Sequence, residues 1–157
     1  MRSSAKFMNS KHYLSYERLE KRCLLAGNVV VSLEGSTLLV AGDQLSNQID
    51  VAQNSNGEVV FTGRDSTTIN GLAEFTFNQT FDRTRFELND GSDEVTLNVF
   101  EGGRELRFLG GDGDDRLEAN AVTARYFHFQ GNAGDDAVQL VQSSSPCLLY
   151  TSPSPRD

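Results

Sequence analysis

Gly110-Gly111-Asp112-Gly113-Asp114-Asp115-Arg116-Leu117-Glu118 is a glycine-rich acidic bend that runs into an apolar alternation. Glycine lets a backbone take left-handed conformations, and aspartate accepts hydrogen bonds from nearby amides, so the two together build tight turns. Carboxylates at fixed offsets before Leu117 then project from one bend. With Asp115 as anchor, the same frame recurs on Asp136, 21 residues on, and on Asp93, 22 residues back.

Seven residues before each anchor stands a phenylalanine: Phe86, Phe108 and Phe129. Nine before stand Thr84, Leu106 and Phe127. Two and four after come Val95 and Leu97, Leu117 and Ala119, Val138 and Leu140. Such alternation places these side chains on one face of two strands flanking the acidic bend. Upstream, Asn47 reads as a decayed anchor, with Leu38 and Val40 before it and Ile49 and Val51 after. The 46 residues from Asn47 to Asp93 leave room for one more coil, around residues 62–71 with Ile69 as its strand residue. Phe75, Phe77 and Phe81 lengthen that coil and predict a bulge or looped-out turn over residues 74–86.

A fixed period with in-register apolar residues indicates a solenoid whose turns stack on one another. The expected fold is all-β, a right-handed parallel β-helix or β-roll of about five coils, with rungs about 4.8 Å apart and the phenylalanines stacked inside. Turn spacing alone also allows an antiparallel β-sandwich. Equal frames favour the solenoid.

The net charge of -8 and pI of about 4.7 argue against nucleic acid and anionic membrane as partners, which require a basic footprint. A cation is the more natural ligand. No run of about 18 apolar residues is present to span a membrane. Cys23 and Cys147 lie in flanking segments and suggest neither a disulfide framework nor a zinc site.

Three segments follow: a basic arm over residues 1–27, the β-solenoid over 28–142, and a tail over 143–157 where the frame is lost. The arm carries six Lys or Arg but no export-type apolar core. Its Leu19-Glu20-Lys21-Arg22-Cys23-Leu24-Leu25-Ala26-Gly27 is similar to the L-E-x-R-x-L-L-A-G stretch near the N-terminus of many exported planctomycete proteins. That resemblance implies a targeting element and an extracellular or cell-surface location; an ordinary basic helical arm is the alternative. The tail from Cys147 resembles a translated sequencing-adapter read-through, which implies a non-native or disordered end to a fragment. A Ser/Pro-rich linker fits its composition as well.

Gly110 to Glu118 matches, position for position, the nonapeptide G-G-x-G-x-D-x-U-x of the RTX, or haemolysin-type, calcium-binding repeats. Residues 131–139 match with Asn132 for the second glycine, and residues 88–96 keep only Gly91, Asp93 and Val95. The resemblance implies calcium held between stacked turns by Asp93, Asp115 and Asp136 with the loop carbonyls of Gly111, Gly113, Asn132 and Gly134. Physical chemistry points the same way. Aspartates about 5 Å apart on neighbouring rungs repel by roughly 1 kcal/mol in water and about 3 kcal/mol at an effective dielectric of 20. Hard oxygen ligands in a flexible loop suit calcium better than magnesium. RTX rolls, however, usually carry two nonapeptides per turn, and here one alternates with a plain strand. The turn-forming ability of Asp and Gly alone is the competing explanation.

Eight residues before the anchors stand Arg85, Arg107 and His128, outward-facing if the phenylalanines point in. Such a row is a candidate contact for an anionic polysaccharide, or an ordinary solvated face offset by acids. The functional expectation is a non-enzymatic, calcium-binding structural or adhesion module of a secreted or cell-surface protein, with other surface proteins as further candidate partners. The alternative is a β-helix carbohydrate lyase or hydrolase, or a non-catalytic fragment of a larger enzyme. With only His12 and His128 present and no nucleophile–base pair evident, no catalytic residue is assigned.

Overall fold

Two strands per repeat, each apolar on one face only, cannot bury that face alone; stacking repeats completes the core. The computed structural model describes residues 27–151 and contains, among them, thirteen strands and no helix. The strands are β1 (Asn28–Glu34), β2 (Thr37–Ala41), β3 (Gln48–Gln53), β4 (Val59–Arg64), β5 (Thr68–Ile69), β6 (Glu74–Phe77), β7 (Arg83–Asp90), β8 (Glu94–Glu101), β9 (Glu105–Asp112), β10 (Arg116–Thr123), β11 (Tyr126–Ala133), β12 (Ala137–Val141) and β13 (Cys147–Thr151). They form a seven-stranded sheet in the order β13-β11-β9-β7-β2-β1-β5 and a six-stranded sheet in the order β12-β10-β8-β3-β4-β6. The chain alternates between the sheets to make a β-solenoid.

The apolar alternation sets the register. Val40, Phe86, Phe108, Phe129 and Tyr150 pair in parallel across β2, β7, β9, β11 and β13. Ile49, Val95, Leu117 and Val138 do the same across β3, β8, β10 and β12. The rings of Phe108 and Phe129 stack with centroids 5.1 Å apart, and Phe129 stacks on Tyr150 at 5.2 Å. Each such pair adds about 0.5–1.5 kcal/mol to the burial of its area.

The solenoid winds about three turns, fewer than the five the spacing suggests. Residues 62–71 are not a coil. Asn54 Oδ1 accepts hydrogen bonds from the amides of Asn56 and Glu58, and Gly57 takes a φ of +83°, closing a tight turn after β3. A tight turn returns the chain antiparallel on the same sheet, whereas a parallel neighbour needs a crossover. So β4 pairs antiparallel with β3, and β6 with β4. Ile69 is buried as expected, but in the two-residue β5 on the edge of β1. The looped-out turn lies between β6 and β7, where Phe81 joins Phe77 and Phe100 with centroids 6.2 Å apart.

At the other end, one strand follows Ser143. β13 lies parallel to β11, with Leu148 opposite Phe127. Residues 1–26, which hold the targeting stretch and Cys23, and residues 152–157 fall outside the described residues.

Six residues after the anchors, Val99, Ala121 and Gln142 have φ of 47°, 53° and 49°, bulging the strand at the same point in successive coils. Val99 is β-branched and 64% exposed, so nothing buried offsets its backbone strain. The left-handed conformation costs an L-residue about 1–2 kcal/mol, part of which glycine returns as unfolded-state entropy. Val99→Gly is expected to stabilise the protein by roughly 0.5–1 kcal/mol in urea unfolding. A lower midpoint would show that the Val99 side chain contributes packing.

Candidate functional site

At a solenoid corner the chain leaves one sheet before joining the next, and amides there lack ladder partners. The anchor residues occupy this position, immediately before β3, β8, β10 and β12. Their side chains supply the missing acceptors across coils. The Asn47 amide donates to Asp93 Oδ1 at 2.6 Å, that of Asp93 to Asp115 Oδ1 at 3.0 Å, and that of Asp115 to Asp136 Oδ1 at 3.1 Å. The main-chain ladder resumes one residue later, with the amides of Glu94, Arg116 and Ala137 donating to the carbonyls of Asn47, Asp93 and Asp115 at 2.8 Å.

A second ladder runs outside the first with the opposite sense. The amide of Ser92 donates to Ser46 Oγ at 3.1 Å, that of Asp114 to Ser92 Oγ at 3.3 Å, and that of Asp135 to Asp114 Oδ1 at 2.9 Å. Each coil is thus tied to the preceding coil by its outer amide and to the following one by its inner amide. Ser46, Ser92 and Asp114 work interchangeably because all three need only present an acceptor.

Each anchor aspartate spends one oxygen on this bond. The other, Oδ2 of Asp93, Asp115 and Asp136, is buried without a hydrogen-bond partner. A Cβ on Gly110 would collide with Asp115 Oδ2, and one on Gly131 with Asp136 Oδ2, so these glycines exist to make room for the carboxylates. The carbonyl oxygen of Gly131 approaches the same point over Gly110 at 2.8 Å. In the Asp93 coil the equivalent residue is the buried Leu88.

Asn47 differs for a legible reason. Among the described residues no amide of an earlier coil donates to its side chain, and what faces it are acceptors: its Nδ2 donates to the Leu45 carbonyl and, at 3.0 Å, to Asp43 Oδ1. An aspartate there would set a carboxylate against both. Although burial opposes it, hydrogen bonds from the Asn47 side chain and the amides of Asn28 and Leu45 hold Asp43 below its ordinary range.

Burial is the largest influence on Asp93 and Asp115. It outweighs the hydrogen bond from a neighbouring amide and, with adjacent aspartates, raises each carboxyl from 3.8 to about 7. For Asp93 those neighbours are Asp115 and Asp43; for Asp115 they are Asp136 and Asp114.

Of the residues that the sequence assigns to metal, Asp93, Asp115 and Asp136 are brought together as one stacked row. Gly111 and Asn132 are register partners in β9 and β11, with φ of 128° and 79°. A Cβ on Gly111 would run into the Asn89 carbonyl of the coil before, and Asn132 stands in as the side chain most tolerant of positive φ. Gly113 and Gly134 likewise sit against the carbonyls of Gly91 and Gly113. Coil stacking therefore accounts for these four residues without an ion. Sequence reasoning missed Gly110 and Gly131, whose matching offset before the anchor was the available signal.

The donor set is all oxygen and fits a hard cation: orphaned, inward carboxylate oxygens with main-chain carbonyls beside them. Among the described residues no three Asp, Glu, His or Cys side chains converge on one point, so a cation here would draw on carbonyls as well as carboxylates. On the outer face of the seven-stranded sheet, Arg85, Arg107 and His128 do stack in register. Arg85 is ion-paired with Glu87, which offsets one member of that row.

A carboxyl whose folded value lies above its unfolded one binds protons more tightly when folded. Its stabilising effect is complete below the unfolded value of 3.8 and is lost as pH rises through about 7. In chelator, the melting temperature should therefore fall between pH 4 and pH 8, and Asp93→Asn with Asp115→Asn should flatten that fall. An unchanged slope in the double variant would place the titrating groups elsewhere. Asn47→Asp should lower stability at neutral pH by about 1–3 kcal/mol, measured by urea unfolding, because it removes two buried donors and adds a charge.

The repeat signature stands on the residues alone: no protein-family model matches the chain, and neither a curated protein nor a solved structure shows detectable similarity to it.

Proposed function

We propose that this chain is a calcium-stabilised structural module of a secreted or cell-surface protein, in which cation binding at the acidic corner locks neighbouring coils together. The observation that carries this reading is the row of three buried, unpartnered oxygens, Oδ2 of Asp93, Asp115 and Asp136. A native interior rarely leaves such acceptors bare, and an ion is one of the few explanations that serves all three at once. Asp115 and Asp136 with the Gly131 carbonyl are the residues best suited to hold it, because Gly110 and Gly131 leave space there that Leu88 removes one coil earlier. Calcium, when bound, would supply the positive charge that lets the carboxylates ionise side by side.

Without a cation Asp93 and Asp115 retain protons up to about pH 7, and the corner is then held by its side-chain and main-chain ladders. Such a protein is weakest in neutral, calcium-poor surroundings and gains rigidity on reaching calcium outside the cell. That coupling suits a stalk, matrix or adhesion element, consistent with the export-like stretch at residues 19–27. Surface proteins and an acidic polysaccharide are the partners that this reading admits. A catalytic role is not proposed, since the inward row is explained by coil-to-coil bonding.

Calcium titration followed by melting temperature and calorimetry tests the proposal. At a hundredfold excess over the dissociation constant, one bound ion should add about 2.7 kcal/mol at neutral pH. Asp115→Asn should raise stability in chelator at pH 8 and abolish the calcium response, two effects of opposite sign. Absence of any calcium-induced shift in the wild type would leave the aspartates as turn formers only.

A further inference from the structure

The chain is acidic overall, yet one face is not. Successive coils bring Arg104 and Arg125 to the corner opposite the acidic bends, immediately before β9 and β11. They lie one coil apart: the amide of Arg104 donates to the Asp82 carbonyl at 2.7 Å, and that of Tyr126 to the Arg104 carbonyl at 3.1 Å. Beside them on the outer sheet face stand Arg107 and His128, in register with Arg85. Among the described residues, Arg104, Arg107 and Arg125 take part in no ion pair, whereas Arg83 is paired with Glu105 and Arg85 with Glu87. Glu105 and Glu87 are therefore engaged by other arginines, Asp82 and Glu101 are the acids of this corner outside those pairs, and the guanidiniums of Arg104, Arg107 and Arg125 remain for a ligand.

Tyr126 is set among them. The residue is 44% exposed, and the Arg125 guanidinium carbon lies 5.5 Å from its ring centroid. Arg83, Arg104, Glu105, Tyr126 and His128 line one open cleft along this edge. An exposed aromatic ring beside cations offers an apolar platform and a polar tip, the pairing that accepts a sugar ring carrying an anionic substituent.

We propose that this edge, centred on Arg104, Arg107, Arg125 and Tyr126, is a docking surface for an acidic polysaccharide bearing carboxylate or sulfate groups and lying along the solenoid axis. The cations recur coil by coil, so the ligand that satisfies them together carries anionic groups at intervals. Nucleic acid fits less well, because Asp82 and Glu101, outside the ion pairs of this corner, oppose densely and regularly spaced phosphates. The surface is separate from the acidic corner and does not depend on the calcium reading.

Binding of dextran sulfate, oligogalacturonate, uncharged dextran and single-stranded DNA to the intact chain, in calcium-containing buffer at about 50 mM salt, tests the proposal. At least one acidic glycan should bind, with affinity falling as salt rises, and uncharged dextran should not. Which of the two binds identifies the anionic group. Arg104→Glu with Arg125→Glu should weaken binding by about tenfold or more, the neutral pair Arg104→Gln with Arg125→Gln by less, and Tyr126→Ala by several-fold with the salt dependence unchanged. The proposal is overturned if neither acidic glycan binds, if the glutamate and glutamine pairs both bind like wild type, or if DNA binds as tightly as the glycans. All variants should keep the wild-type response to calcium, so failure of one reading is distinguishable from failure of the other.

Discussion

A chain that turns a corner between two sheets must find partners for amides that neither sheet can serve, and in this protein the anchor aspartates provide them. One carboxylate oxygen caps the corner amide of the coil before, so each repeat is bonded to its neighbour through a side chain where main-chain pairing lapses. These bonds reinforce the stacked register that the apolar alternation sets, since a coil displaced along its strand would separate donor from acceptor. The outer Ser46, Ser92 and Asp114 bonds repeat the device in the opposite sense and hold the corner from both directions.

The solution carries an electrostatic cost that shapes the rest of the corner. Burial beside neighbouring carboxylates raises the proton affinity of Asp93 and Asp115, and the second oxygen of each anchor aspartate is left without a partner. Gly110 and Gly131 make room for that oxygen, and Asn47 ends the row with an amide where a further carboxylate would face Asp43. A structural bond and a candidate cation site are therefore the same side chains, which couples cohesion of the coils to what occupies the corner. Charge is sorted across the molecule as well, with carboxylates at one corner and unpaired arginines at the other.

Much of this was legible in the residues. Phe86, Phe108 and Phe129, with Leu106, Val95 and Leu117, specified a two-strand repeat, because apolar side chains at a constant offset can be buried together only if coils stack in register. Asp93, Asp115 and Asp136 were recognisable as one row for the same reason. The stretch after β3 was misread because Ile69 and its neighbours have the apolar spacing of a coil, whereas the hydrogen bonds of Asn54 and the φ of Gly57 send the chain back antiparallel. The interval to Asp93 then measures an excursion of β4, β5 and β6, and the turns number about three.

By itself the sequence determined the periodicity, hence the all-β solenoid, its inward rings and its acidic corner, because these depend on side-chain polarity at fixed intervals along the chain. Tertiary structure decided what each oxygen of an aspartate touches, why Asn47 is an amide, and which arginines remain unpaired. Those outcomes depend on atoms from coils some twenty or more residues apart meeting at hydrogen-bond distance, and only the stacking of one coil on the next sets that geometry.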